Sequence, residues 1–201
     1  RPLQLTEGIL ELVQKLKKAN KHVYLVSGGF RIMIEPVAKL LEIPKSNIIA
    51  NRILFDNGNK YAGFDPNEPT SRDMGKPRAL ELIRDRNAYK NIVMIGDGAT
   101  DMQAKPPAVA FIGFGGVEVR EKVRDGADWF VTDFADLIYI LDEHCKRNQL
   151  WCYVYRYRTD SVPILLYCYG QLNAICLCSF VLSVTSDVDQ PFPTAKEWGN
   201  T

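Results

Sequence analysis

Met94-Ile-Gly-Asp-Gly-Ala-Thr-Asp101 decides how this chain is read: an apolar run ends in two glycines that bracket one carboxylate, and a second carboxylate follows four residues later. The run Lys90-Asn-Ile-Val-Met-Ile95 predicts a buried strand, because a central strand of a parallel sheet is apolar on both faces and shows no alternation. The turn after it predicts a short helix reaching toward Lys105. Paired carboxylates in such a loop suit Mg2+, which prefers hard oxygen ligands and keeps several waters beside a substrate phosphate. The same residues also fit a plain cap and turn, since Asp favours helix N-caps and Gly favours turns. On its own the stretch leaves the two readings equal.

Downstream, Val109-Ala-Phe-Ile112 predicts a strand, Val117 to Arg124 a helix, Trp129-Phe-Val131 a strand and Asp133 to Glu143 a helix. Upstream, Pro77 to Arg86 predicts a helix, and the polar, proline-bearing segment from Asp65 to Met74 a loop. Asp56-Asn-Gly-Asn59 is turn chemistry between Arg52-Ile-Leu-Phe55 and Lys60-Tyr-Ala-Gly-Phe64, the pattern of a β-hairpin. Ile48-Ile-Ala50 predicts a short strand. Before it, His22-Val-Tyr-Leu-Val26 predicts a buried strand that runs into Ser27-Gly28-Gly29 and a helix through Ile32, Met33, Val37 and Leu40, kinked at Pro36. The first helix starts at Thr6 as N-cap and presents Ile9, Leu12, Val13 and Leu16 on one face. Strands alternating with helices at this spacing predict an α/β fold: a Rossmann-like, mostly parallel sheet with helices on both faces and one small hairpin. Ligands in such sheets sit beyond the carboxyl ends of the strands.

Ser27-Gly28-Gly29, at one such end, offers backbone N–H groups that glycine lets come close to an anion, a hydroxyl donor and the potential of a helix N-terminus. A tight turn explains the same three residues. Lys76, entering a helix after Gly75, is either a cation for a phosphate or a solvated surface lysine. Taken together, the two loops and the lysine bring donors, a cation and metal ligands to one edge of one sheet, the equipment of phosphoryl transfer. Composition agrees with a small-molecule partner. The 201 residues are 46% hydrophobic and 24% charged, with 25 Lys+Arg against 24 Asp+Glu, which leaves no basic excess for a nucleic-acid backbone. All five Cys lie at or after Cys145, so no disulfide framework supports the residues before it, and a reducing, cytoplasmic setting fits.

VYLVSGGFR, AGFDPNEPTSR, Gly75-Lys76, MIGDGATDM and FIGFGG follow one another, from about Leu5 to Glu143, in an order and spacing that resemble the phosphoserine phosphatase family of the haloacid dehalogenase-like hydrolases. The resemblance implies Mg2+-dependent hydrolysis of O-phosphoserine to serine and phosphate, the last step of serine biosynthesis. It implies that Ser27, Gly28 and Gly29 bind the substrate phosphate and that Thr100 contacts the substrate. Lys76 and Asp101 become the catalytic residues, Lys76 by neutralising the phosphate and the nucleophile, Asp101 by supporting the metal site. Asp97 becomes the Mg2+ ligand. No nucleic-acid or membrane partner is implied, and a homodimer is compatible with the resemblance.

Two features depart from the family pattern. Its first motif, DxDxT, whose leading Asp is the nucleophile and whose second Asp is the general acid and base, is absent; the only Asp-x-Asp is Asp187-Val-Asp189, followed by Gln190 and Pro191. The helical cap that follows this motif in the family is absent too, and the chain, which opens on RPLQLTEG, reads as starting inside a longer protein. In the family the strands bearing SGG and GDGATD flank the nucleophile strand, so two unpaired apolar edges are expected inside the sheet. The second departure is a Cys- and Tyr-rich tail. Residues 1–147 are expected to form a partial phosphatase domain, and residues 148–201 to lie apart from it and add no alternating element. The segment from Ser161 to Ser186 carries no charge and is long enough for a bilayer, but Pro163, Gly170, Gln171 and Asn173 interrupt it, so no membrane span is expected. Such a fragment is expected to be inactive alone. The alternatives are a non-catalytic phosphate-binding or interaction protein derived from the family, or a related small-molecule phosphatase.

Overall fold

The structure, a computed structural model, describes residues 4–147 and 174–177. Helix α1, Ile9–Lys18, forms where apolar residues recur at helical spacing, and Ile9, Leu12, Val13 and Leu16 are all buried. Burial of each of those side chains contributes about 2 kcal/mol. The helix starts after the expected cap: Gly8, at φ 78°, takes the N-cap position in place of Thr6, with no side-chain hydrogen bond. Lys15, Lys17 and Lys18 fill the last turn, where cations oppose the negative end of the helix dipole. The Lys15 ammonium also donates to both carboxylate oxygens of Asp142, at 2.7 and 2.9 Å, which ties α1 to α6, Phe134–Arg147.

Strand β1, His22–Phe30, leads through α2, Arg31–Leu40, to β2, Ile48–Asn51. Strands β3, Ile53–Phe55, and β4, Tyr61–Phe64, pair antiparallel about the expected turn, where Asp56 Oδ1 accepts from the Gly58 and Lys60 N–H groups at 2.8 and 2.9 Å. Helix α3, Gly75–Asn87, is followed by β5, Ile92–Gly96, and α4, Ala99–Met102. Then come β6, Ala110–Phe114, α5, Glu121–Gly126, β7, Trp129–Val131, and α6. One further strand, β8, is Ala174–Leu177.

Six strands form one sheet in the order β2-β1-β8-β5-β6-β7, and every neighbouring pair is parallel. All residues of β5 and β6 are buried. Successive side chains of a strand point to opposite faces, so helices must cover both faces of this sheet. Met94, Phe111 and Phe114 are among the fully buried side chains, and the Phe114 ring stacks on Phe134 of α6 with centroids 4.2 Å apart.

The expected open edges beside β1 and β5 are closed. Four residues of the segment expected to lie apart from the domain, Ala174-Ile-Cys-Leu177, stand between those strands and pair with both. The physical reason is that an apolar, uncharged tetrapeptide satisfies two rows of backbone groups that would otherwise be exposed. The remainder of the uncharged segment and Asp187-Val-Asp189 lie outside the described residues. Among the described residues no helix is long and apolar enough to cross a membrane. Two boundaries also move. The strand expected to end at Val26 continues to Phe30, with irregular pairing between Ser27 and Phe30. Helix α5 begins at Glu121 rather than Val117, because Arg120 is held extended and the apolar Val117 and Val119 find no core to face.

Candidate functional site

In a parallel sheet the strands all end on one edge, so the ends of β1, β5 and β6 share that edge, with β8 standing between β1 and β5. At the end of β1, Ser27 is buried and its Oγ accepts the Gly29 N–H at 3.0 Å. Gly28 and Gly29 are exposed, and a Cβ added at Gly28 would meet nothing within 4 Å, so this turn borders open space. Asn51 at the end of β2 braces it: Nδ2 donates to the Gly28 carbonyl at 2.7 Å, and Oδ1 accepts from Thr70 Oγ1 at 2.8 Å.

Thr70 connects this brace to the lysine. A Cβ on Gly75 would lie 2.7 Å from Thr70 Cα and 2.8 Å from the Pro69 carbonyl oxygen, so only glycine lets α3 begin against that turn. The next residue is Lys76, whose Nζ donates to Asp101 Oδ1 at 2.6 Å. Asp101 is buried, with 1% side-chain exposure, and Lys76 is partly buried, with 11%. Removing one partner of a buried pair costs about 3–5 kcal/mol, because the remaining charge is left uncompensated.

Asp101 is fixed from a second side. Its Oδ2 accepts the Gly98 N–H at 3.0 Å, capping the start of α4. It packs directly over Gly96, where an added Cβ would fall 2.2 Å from Asp101 Cγ. Gly96→Ala is therefore expected to cost about 3 kcal/mol through overpacking, read by urea unfolding. A loss within about 0.5 kcal/mol, the range of neutral surface changes, would show that Asp101 can swing clear. Thr100 is exposed on the same turn, with its Oγ1 3.8 Å from where a Gly98 Cβ would sit.

Asp97 is the outer carboxylate, with its side chain 21% exposed. Arg120, just ahead of α5, donates through Nη1 to both the Asp97 carbonyl and Oδ2, each at 2.9 Å, and its Nη2 lies 2.8 Å from Glu118 Oε2. Partial burial works against the guanidinium charge, yet the Asp97 and Glu118 carboxylates outweigh it and the pKa is raised above the ordinary arginine value. Among the described residues no group of three or more His, Cys, Asp or Glu is placed to hold a metal. The donors fit Mg2+ nevertheless, because that ion is commonly held by one or two carboxylates, with waters and phosphate oxygens completing its shell.

The structure thus brings Lys76, Asp97, Thr100 and Asp101 onto one loop cluster and places Ser27, Gly28 and Gly29 on the same sheet edge. Asn51, Thr70 and Arg120 were missed by sequence reasoning. An isolated Asn at a strand end, a Thr in a polar loop and an Arg beyond two glycines carry no periodic signal.

The model of the haloacid dehalogenase-like hydrolases matches residues 1–104, more than half of the chain. The chain belongs to the haloacid dehalogenase-like hydrolase family. The phosphoserine phosphatase of Bos taurus is 50% identical to it over 142 residues, which are 71% of this chain and 63% of that one. The chloroplastic phosphoserine phosphatase of Arabidopsis thaliana is 53% identical over 144 residues, 71% of this chain and 49% of that one. A solved phospho-aspartyl intermediate analogue of phosphoserine phosphatase has a TM-score of 0.57 and 25% identity, covering 67% of this chain and 63% of that one. This haloacid dehalogenase-like chain therefore spans less than two thirds of the length of these relatives. Every site residue from Ser27 to Asp101 falls within the matched region of the family, whereas Arg120 lies beyond it.

Proposed function

We propose that this edge is the phosphate- and magnesium-binding half of an O-phosphoserine phosphatase. The observation that carries the reading is the largely buried Lys76–Asp101 pair at 2.6 Å, set beside the more exposed Asp97, on the sheet edge where β1 ends in Ser27-Gly28-Gly29. Taking a lysine largely out of water is costly unless a carboxylate pairs with it, and that pairing holds its charge in a fixed place at the sheet edge. Lys76 neutralises charge on the transferring phosphoryl group, and Ser27, Gly28 and Gly29 present hydroxyl and backbone donors to its oxygens. Thr100 contacts the substrate from the opposite loop. Asp97 holds Mg2+, with Asp101 fixing the loop geometry beneath it. Bound there, the ion supplies Lewis-acid neutralisation of phosphate charge. The names of the relatives support a small phosphoester as the substrate.

The experiment is phosphate release from O-phosphoserine by a chain extended upstream with a DxDxT segment, assayed with and without Mg2+. Mg2+-dependent release supports the reading, and no release above the blank overturns it. In that extended chain Lys76→Ala is expected to lose on the order of 10²-fold or more in kcat, the scale of deleting one preorganised transition-state donor. A loss under about threefold, less than 0.7 kcal/mol, would leave Lys76 as a structural residue only. A second reading, phosphate binding without turnover, is favoured by one observation: the strand between the SGG and GDGATD strands is Ala174-Ile-Cys-Leu177, which brings no carboxylate.

A further inference from the structure

We infer that β8 is a positioning segment: it sets the register and spacing of the two halves of the site. Its two ladders place it level with both neighbours. Ala174 pairs with His22 on one side and Ile92 on the other, and Leu177 pairs with Leu25 and Ile95. Ser27 lies two residues beyond Leu25, and Asp97 lies two residues beyond Ile95. The tail strand thus brings the glycine turn and the carboxylate turn to the same height on the sheet edge. A one-residue slip in either ladder would offset them by about 3.3 Å.

Spacing follows from the same ladders. Adjacent strands lie about 4.8 Å apart, so one interposed strand holds β1 and β5 about 10 Å apart. Other ties between the halves run through side chains, such as Lys15 to Asp142 and Lys76 to Asp101. Those ties resist separation, whereas the two backbone ladders also pair residue with residue and so define the register directly. Without β8 the sheet falls into β2-β1 and β5-β6-β7, each with an unpaired apolar edge. This role does not depend on what the site binds.

The test uses the full chain. Hydrogen exchange on the unmodified protein is expected to show amides 174–177 slowed about 1,000-fold or more relative to an unfolded peptide, as for a central strand. Exchange at the unfolded rate there overturns the proposal. For spacing, spin labels are attached through unnatural amino acids at the exposed Lys39 of α2 and Lys122 of α5, which pack on opposite halves of the sheet. Pulsed electron resonance should give one narrow distance in the unmodified background and in Ile175→Val. In Ile175→Pro, which cannot donate to the ladder, the distance should broaden or shift by several ångströms. An unchanged distance in a folded Ile175→Pro protein would show that the halves hold their register without β8. Where that variant does not fold, the same distance is read in Leu177→Pro, at the strand end, and an unchanged narrow distance there overturns the proposal while a broadened or shifted one supports it.

Discussion

Asp97→Asn in an upstream-extended, active chain is expected to lower Mg2+-dependent phosphate release on the order of 10³-fold or more. The change keeps the shape of the side chain and removes its charge. Magnesium takes hard anionic oxygens and dehydrates reluctantly, so a site offering one or two carboxylates loses much of its attraction when one becomes a neutral amide. Lewis-acid stabilisation is worth several kcal/mol of barrier, and each 1.36 kcal/mol is tenfold in rate. Two features of the structure sharpen the expectation. The neighbouring carboxylate, Asp101, already accepts from Lys76 and from the Gly98 N–H, so it is poorly placed to stand in. Arg120 binds the Asp97 carbonyl as well as Oδ2, so the loop keeps one anchor in the variant and the loss reports on charge rather than on unfolding. Circular dichroism and the urea midpoint should stay near those of the parent. Turnover within about threefold of the parent would remove Asp97 from the metal site.

How far the sequence carried these conclusions differs by element. The α1 face, the hairpin turn and β5 were legible because each obeys a local rule: helical spacing at Ile9, Leu12, Val13 and Leu16, turn residues at Asp56-Asn-Gly-Asn59, and an unbroken apolar run at Ile92–Ile95. The Lys76–Asp101 pair was legible only as two separate motifs, since nothing in a linear pattern joins residues 25 positions apart. Asn51 and Thr70 were invisible for a related reason: they act through single hydrogen bonds to backbone and to each other, which leave no periodicity. β8 was misjudged by a different route. Ala174-Ile-Cys-Leu177 has the apolar, unalternating character of a central parallel strand, the same signal that located β5. It sits inside a longer uncharged segment whose length drew the comparison with a bilayer, and its partners β1 and β5 lie far upstream. Which open edge a short apolar run fills is settled by the rest of the sheet, not by the run itself.

The 201-residue chain by itself is expected to release no phosphate from O-phosphoserine, even with Mg2+. Transfer through an aspartyl-phosphate needs a carboxylate oxygen in line with phosphorus, while a lysine, a metal and backbone donors only neutralise and orient. Removing a nucleophile from an otherwise complete site costs on the order of 10⁶-fold in kcat, which takes ordinary turnover below detection. In this chain the strand between β1 and β5 is Ala174-Ile-Cys-Leu177, and the residues after it in sequence, Cys178-Ser-Phe-Val-Leu182, contain no carboxylate either. The other acidic residues of the site are committed: Asp101 to Lys76 and Gly98, and Asp97 to Arg120. The measurement compares the chain alone with one extended upstream by a DxDxT segment, under the same Mg2+ and O-phosphoserine concentrations. It should be paired with titration of inorganic phosphate plus Mg2+ into the chain alone, which is expected to show binding that Lys76→Ala weakens. Turnover by the unextended chain within about tenfold of the extended one would mean that a carboxylate already present attacks phosphorus, and the division between a binding half and a missing reacting group would be wrong.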